Sequence, residues 1–417
     1  MIRFHNMKTN NNMPQGYKNS PLGIIPQEWE VKKLGDVAES FSGGTPKAGN
    51  NEYYGGNIPF IRSGEIHQKN TALFLSELGL AESSAKIVEK GDLLIALYGA
   101  NSGDSAISQI NGAINQAILC IRPYNLLTFF LCSFLELKKK MYVAKYLQGG
   151  QGNLSGDIVN NYIIPIPPLP EQQKIAEVLS TWDKAIEKQT QLIEKLELRK
   201  KGLMQQLLTG KKRLPGFSGE WKKVKLHEIC ERVTRKNIED NKHVMTISAQ
   251  RGFVIQTDFF NKSVASETLE SYYLVLKDEF CYNKSYSNGY PMGAIKRLSE
   301  AEKAVVTSLY ICFKVKSRTK ISIDFLSYYF DNGGLNQGLT KIANEGGRAH
   351  GLLNVTPKDF FELSCNIPSP VEQMAIAHVL ISADHEIELS QQKLKLFCQQ
   401  KHGLMQQLLT GKKRIKV

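Results

Sequence analysis

EQQKIAEVLSTWDKAIEKQTQLIEKLELRKKGLMQQLLTGKKR, residues Glu171–Arg213, returns later in the chain as EQMAIAHVLISADHEIELSQQKLKLFCQQKHGLMQQLLTGKKR, Glu372–Arg414. Each residue of the second copy is numbered 201 higher than its mate, without a gap, from Glu171 and Glu372 to Arg213 and Arg414. Twelve consecutive residues are identical, Gly202–Arg213 and Gly403–Arg414. A repeat on this scale governs the architecture before any local pattern does.

Each copy has the spacing of one long helix. Apolar residues at every third or fourth place give Ile175, Leu179, Trp182, Ile186, Ile193, Leu196, Leu203 and Leu207 in the first. The second gives Ile376, Leu380, Ala383, Ile387, Leu394, Phe397, Leu404 and Leu408. Polar breaks fall at matching places, Gln189 with Ser390 and Lys200 with Lys401. This is the 3–4 alternation of a coiled-coil seam. Pro170 and Pro370 stand where a helix tolerates proline, and Gly210 and Gly411 follow as stops, with cations suiting the negative end of the dipole. A helix from Glu171 to Leu208 is roughly 57 Å long at 1.5 Å per residue. If the two seams pair, connectivity requires them to run antiparallel. Gly202 and Gly403 each cost such a helix roughly 1 kcal/mol, so they are expected to permit a close helix approach or a kink.

The repeat reaches beyond the helices. Trp29-Glu-Val-Lys-Lys-Leu34 matches Trp221-Lys-Lys-Val-Lys-Leu226, Asn153-Leu-Ser155 matches Asn354-Val-Thr356, and Ile166-Pro167 matches Ile367-Pro368. Between these anchors the halves have diverged: glycine-rich Ser42–Ile66 and Gly91–Ile107 in the first, Lys277–Ile295 in the second. Short β-branched and aromatic runs bounded by Gly, Asn and Pro predict strands and turns, and Leu126–Leu147 and Ile323–Ala343 predict amphipathic helices. Glycine-rich Gly149–Asn153 and Gly346–Asn354 predict loops. The expected class is mixed α/β: two similar domains with small curved sheets, separated by two long antiparallel coiled-coil helices, with internal pseudo-two-fold symmetry. The expected boundaries are a disordered leader at 1–20, a first domain at 21–168, a helix at 169–213, a second domain at 214–369 and a helix at 370–417.

Composition narrows the function. The chain has 417 residues, enough for two or three cores, with 42% hydrophobic and 22% charged residues, as in a soluble globular protein. A net charge of +13 suits a polyanionic partner. Seven cysteines form no CxxC pair, which predicts reduced thiols in a cytoplasm rather than zinc or disulfides. The longest uncharged apolar run, Asn125–Leu135, is too short to span a bilayer.

Catalytic motifs are missing. Thr209-Gly-Lys-Lys212 lacks the upstream glycine and following hydroxyl of a phosphate cradle. Asn57-Ile-Pro-Phe60 only partly echoes an adenine-methyltransferase pocket loop, and no cofactor loop accompanies it. Glu136-Leu-Lys138 has the E-x-K spacing of nucleases without the partnering carboxylate, and reads as a solvated helix face. The eight histidines show no metal spacing. The chain reads as non-catalytic, with no metal and no cofactor of its own.

Nucleic-acid contact suits the polar loops better. Phosphates are bound by Lys, Arg, hydroxyls and backbone N–H groups, and base edges by Arg, Lys, Asn and Gln. The candidates in the first domain are Thr45, Lys47, Tyr53, Tyr54, Arg62, Tyr98, Asn101, Gln148 and Gln151. In the second they are Arg251, Asn283, Lys284, Tyr286, Asn288, Tyr290, Arg348 and His350. For any single residue a surface turn explains it equally well. Their clustering where the halves differ most carries the reading. A scaffolding or DNA-mimicking rod is the rival, and the basic charge opposes mimicry.

At these residues the chain resembles the specificity (S) subunit of type I restriction-modification systems. The likeness rests on the paired helix openings IPIPPLPEQQKIAEVL (Ile164–Leu179) and IPSPVEQMAIAHVL (Ile367–Leu380), and on the duplicated GLMQQLLTGKKR. The linker Leu214–Leu226 and the run Gly43–Ile66 add to it. The resemblance implies two target-recognition domains, each reading one half of a bipartite site in double-stranded DNA. It implies long helices that set the spacing and dock two methyltransferase (M) subunits, with restriction (R) subunits joining the full complex. S-adenosylmethionine, ATP and Mg would then belong to those partners.

Overall fold

The computed structural model describes residues 13–146, 153–256, 269–345 and 353–415. The chain divides into two compact units, Met1–Thr190 with Lys393–Val417, and Gln191–Gln392. The two long helices are Leu169–Leu207 and Pro370–Leu408, each of 39 residues. Both units therefore draw one stretch from each helix, and in each the two stretches run antiparallel.

In the first unit, buried Trp29 leads the strand Glu30–Lys33, which pairs antiparallel with Ile163–Ile166. Two four-stranded sheets follow. One orders Ala38–Ser42, Ile118–Pro123, Leu93–Ala96 and Ser105–Ile107, all antiparallel. The other orders Phe74–Leu75, Tyr54–Ile61, Gly112–Ile114 and Lys86–Val88, with a parallel pairing between Gly112–Ile114 and Tyr54–Ile61. All four residues of Leu93–Ala96 are buried, so this strand reads as a continuous apolar run instead of an alternation. The helix Thr128–Tyr146 lays Phe130, Leu131 and Phe134 on a core shared with Trp29, Leu34, Ile121, Ile175 and Leu179. Met405, Leu408 and Leu409, from the end of the second long helix, complete that core. Each fully buried leucine is worth about 1.5–3 kcal/mol relative to exposure.

The second unit has its own strands and core. Lys222–Lys225 pairs antiparallel with Ser364–Ile367. A four-stranded antiparallel sheet orders Cys230–Val233, Ile311–Val315, Phe280–Asn283 and Ala294–Arg297. Two antiparallel two-stranded pairs accompany it, Met245–Ser248 with Gly252–Ile255, a hairpin, and Tyr273–Leu276 with Lys303–Val306, a long-range pairing. Its core is aromatic: Phe280 stacks on Phe313 at 5.4 Å, and Phe330 meets Phe280 edge-on at 5.5 Å. Leu207, Leu208, Ile376 and Leu380 of the long helices pack into it.

Each long helix opens with a buried Glu-Gln pair. Glu171, Gln172, Glu372 and Gln373 are each 1% exposed, a cost that only full hydrogen bonding can offset. Gln172 Nε2 donates to the Pro167 carbonyl, and its Oε1 accepts from the Leu127 amide, both at 2.8 Å. Gln373 repeats this with the Pro368 carbonyl and the Ser322 amide, both at 2.9 Å. Each glutamine thereby ties the start of a long helix to the start of a domain helix. The glutamates take arginines: Arg213 donates twice to Glu372 at 2.6 Å in the second unit. In the first, Arg414 donates to Glu171 at 3.1 and 2.8 Å, and Trp29 Nε1 donates to the same carboxylate at 2.9 Å.

The seam residues divide between helix contacts and domain cores. In the first unit Trp182 meets Phe397 edge-on at 5.7 Å, Ile175, Leu179 and Leu408 are buried, and Ile186, Leu394 and Leu404 are half-buried. In the second, Ile193, Leu196, Leu207, Ile376, Leu380 and Ile387 are buried and Leu203 is half-buried. The lysine breaks have acidic partners: Lys200 pairs with Asp384 at 2.5 Å and Lys401 with Asp183 at 2.7 Å.

Four expectations are corrected. The leader is not wholly without structure, because Tyr17–Ser20 pairs with Gly23–Pro26; residues 1–12 lie outside the described ones. The helix predicted over Ile323–Ala343 is two, Ile323–Asp331 and Asn336–Ile342, parted where Gly333 adopts φ +74°. Leu353–Asn354, read as loop, forms a short strand with Asn344–Glu345. A Cβ built on Gly202 or Gly403 meets nothing within 4 Å, so neither glycine serves a close helix approach.

Candidate nucleic-acid interface

In the first unit, close backbone approaches explain the glycine-rich run. A Cβ on Gly43 would lie 1.8 Å from the Ile114 carbonyl oxygen, so only glycine fits there. The loop that follows carries Thr45, whose hydroxyl donates to Gln116 Oε1 at 2.6 Å, and exposed Lys47. Tyr54 donates to the Pro46 carbonyl at 3.0 Å, folding the loop back on its own strand. Tyr53 donates to Glu82 at 2.6 Å, and that acceptor raises its phenol above the ordinary range. These four residues share one surface.

Arg62 lies on a second loop and is committed to Glu65. Its Nε and Nη2 donate to the two carboxylate oxygens at 3.1 and 3.0 Å, and the Arg62 and Ala72 amides add two more donors. Chiefly through the Arg62 hydrogen bond, Glu65 is held below the usual carboxylate range despite partial burial. Tyr98 and Asn101 sit on the turn Gly99–Asn101; a Cβ on Gly64 would lie 3.8 Å from Asn101 Nδ2, so this turn adjoins the Arg62 loop. Gln148 and Gln151 lie outside the described residues, as do Arg348 and His350 of the second domain.

In the second unit, the candidates converge. Arg251 is exposed at the turn after Met245–Ser248, where its amide donates to Ser248 Oγ at 3.2 Å. The loop leaving Phe280–Asn283 is folded onto that turn. Asn283 Nδ2 donates to the Ile247 carbonyl at 3.3 Å, and Gln250 Nε2 donates to the Asn288 carbonyl at 3.1 Å. The Lys284 carbonyl accepts from the Leu353 amide at 3.1 Å. Tyr286 and Asn288 are exposed, and Tyr290 lies with its ring centroid 5.0 Å from Lys296 Nζ, a cation–π contact. Arg251, Asn283, Lys284, Tyr286, Asn288 and Tyr290 thus lie on two adjoining loops.

Sequence reasoning missed three polar side chains in these clusters: Gln116, Gln250 and Lys296. Gln250 adjoins Arg251, which was signal enough to include it. Lys296 sits in the strand Ala294–Arg297, away from the polar loops, and nothing local marks it. Among the described residues no group of three His, Cys, Asp or Glu side chains could hold a metal ion, and no helix is long and apolar enough to cross a membrane. Glu136, of the E-x-K triplet, is exposed and lies 3.9 Å from Lys401. Lys138 is lowered by burial and by the neighbouring Lys412 cation.

Known proteins share this plan. The family model for the type I restriction modification DNA specificity domain matches residues 26–198. The type I restriction enzyme MjaVIII specificity subunit of Methanocaldococcus jannaschii is 26% identical over 424 residues, covering 94% of both chains. The MjaIX specificity subunit of the same organism is 32% identical over 194 residues, 44% of this chain and 45% of that one. The crystal structure of a type I restriction-modification S subunit from M. genitalium superposes with a TM-score of 0.52 at 15% identity, covering 96% of this chain and 98% of that one, a likeness of fold. Along nearly its whole length the chain is similar to the specificity subunits of type I restriction-modification systems.

Proposed function

We propose that this chain is the DNA-recognition subunit of a type I restriction-modification complex. One recognition domain reads each half of a bipartite site in double-stranded DNA. The long helices set the spacing between half-sites and dock two M subunits, and R subunits join the full complex. The chain itself is non-catalytic; S-adenosylmethionine, ATP and Mg act in the partners. The observation that carries this reading is similarity to a specificity subunit along 94% of both chains. A repeated frame around dissimilar polar loops supports it further. Internal pseudo-two-fold symmetry accounts for the matched frame: equal helices, the Glu-Gln openings and the Trp-led strand pairs.

Such a design separates constant from variable parts. Residues that hold the frame are matched between the halves, whereas Thr45–Arg62 and Arg251–Tyr290 differ, as two half-sites of different sequence require. The test is selection from a random duplex pool by the chain assembled with the M subunit of its own locus. Enrichment of two short blocks around a fixed gap is expected. Enrichment of a single block, or of none in a complex that binds DNA, overturns the reading.

A further inference from the structure

In the second unit, a run of polar contacts leads from the long helices to the candidate reading loop. Lys200 of the first long helix meets Asp384 of the second at 2.5 Å. The other oxygen of Asp384 accepts from Tyr328 Oη at 2.6 Å, and Tyr328 stands on the domain helix Ile323–Asp331. That helix ends in Asp331, which accepts from Lys296 Nζ at 2.6 Å. Lys296, only 10% exposed at its side chain, lies against the ring of Tyr290 on the loop that carries Asn283 to Tyr290. Burial raises Asp331 despite the Lys296 and Lys200 cations, and burial with the Asp384 acceptor raises Tyr328. Lys200, Tyr290, Lys296, Asp331 and Asp384 line one cavity of 590 Å³.

Two features argue that this run is a built device. Lysine on a coiled-coil seam lowers stability and is tolerated where it fixes register or orientation. The matching lysine, Lys401, makes the corresponding meeting in the first unit, with Asp183 at 2.7 Å and the domain-helix acid Glu136 at 3.9 Å. In each unit, then, the seam lysine joins an aspartate of the other long helix close to an acid of a domain helix.

The geometry points to Lys200, Asp384, Tyr328, Asp331 and Lys296 as positioning residues for sequence recognition by the second unit. They fix the Asn283–Tyr290 loop on the helix pair, so that selectivity for one half-site depends on side chains that do not touch DNA. This rests on the DNA-recognition reading above. Lys296 holds the Tyr290 ring from beneath, Asp331 holds Lys296, and Tyr328–Asp384–Lys200 pins the helix that carries Asp331. Loosening any link frees the loop to accept neighbouring base pairs, and the phosphate contacts that supply most affinity are untouched.

The experiment uses the complex assembled with the M subunit of the same locus. Its motif is first mapped, and binding is then measured to duplexes carrying one substitution in either half. Tyr328→Phe removes one hydroxyl and keeps the ring; Lys296→Met removes the cation; Lys296→Arg is the conservative control. Tyr328→Phe and Lys296→Met are expected to lower discrimination about 10-fold at one half-site only, with the other half-site unchanged and Lys296→Arg near wild type. Equal loss at both half-sites, or discrimination unchanged in Tyr328→Phe and Lys296→Met, overturns the proposal. If Lys296→Met fails to fold, Tyr328→Phe decides alone. A wild-type complex without sequence discrimination would instead defeat the DNA-recognition reading itself.

Discussion

Arg414 donates from Nε and Nη2 to the two carboxylate oxygens of Glu171, at 3.1 and 2.8 Å, across 243 residues of chain. The segment that follows the second long helix is thereby fastened to the first turn of the first. Glu171 is almost wholly buried, so Arg414 is its main compensation, with Trp29 Nε1 as the other donor. Arg414→Ala is expected to destabilise the first unit by about 1–2 kcal/mol, a value reduced from that of a fully buried pair because the arginine is 35% exposed. Arg414→Lys should recover only part of this, since a point charge cannot reproduce the bidentate geometry. Urea unfolding followed by tryptophan fluorescence checks both; a midpoint unmoved in Arg414→Ala would show that the contact contributes nothing.

Gly202 and Gly403 stand inside helices with open space at the Cβ position. Gly202→Ala and Gly403→Ala should each raise stability by about 0.5–1 kcal/mol through lower backbone entropy in the unfolded chain. Gly43→Ala should cost at least about 2 kcal/mol, because its methyl would strike the Ile114 carbonyl. Thermal melts of the three variants test the contrast; a stabilising Gly43→Ala would mean that the strand approach is not as close as described.

Acid should weaken the Asp92–Arg122 pair. Arg122 donates twice to Asp92, at 3.0 and 2.7 Å. Burial opposes ionisation of Asp92, yet the guanidinium and the Glu89 amide outweigh it and hold the carboxyl below its ordinary value. A depressed folded value contributes stability above the unfolded value, near 3.8, which is lost as pH falls through the folded one. The stability gap between wild type and Arg122→Met should therefore be full at neutral pH and shrink below about pH 4. Denaturant midpoints across pH measure it; a gap that widens on acidification contradicts the assignment.

Thiol reactivity should separate by burial. Cys120, Cys230 and Cys365 are buried, and desolvation pushes each thiol up to about 12. Cys398 is exposed on the second long helix. Brief iodoacetamide treatment at pH 8 followed by peptide mass spectrometry should label Cys398 well before those three. Early labelling of Cys230 or Cys365 would show that the second unit opens readily.

Charge reversal at Lys284 should weaken binding to the half-site proposed for the second unit and reduce the salt slope by about 1, with helix content intact. An unchanged affinity and slope would remove Lys284 from the interface.

Much of the helix pair was legible because its sequence is repeated. The long helices begin at the expected 169 and 370 but end at Leu207 and Leu408, short of the expected 213 and 417, because Gly210 and Gly411 at positive φ stop both copies. The partners of Lys200 and Lys401 went unread, although Asp183 and Asp384 occupy matching places in the repeat and antiparallel pairing brings each to the other copy's lysine. The buried Glu-Gln openings were hidden, because polar residues at a helix start ordinarily face water. Sheet order was hidden as well. The parallel pairing of Gly112–Ile114 with Tyr54–Ile61 depends on long-range packing that no local pattern encodes. Among the loops, Arg62 looked available, although Glu65 three residues later was a sign that it was taken.

The central claim is that this chain gives a methyltransferase its DNA target. Adenine-methylation mapping of host DNA by long-read sequencing, with the M subunit expressed and this gene present or deleted, tests it most directly. The account predicts loss of one motif, two short blocks around a fixed gap, when the gene is deleted, and its return on complementation. Retention of every methylated motif, with the M subunit demonstrably expressed and bound to this chain, would contradict it.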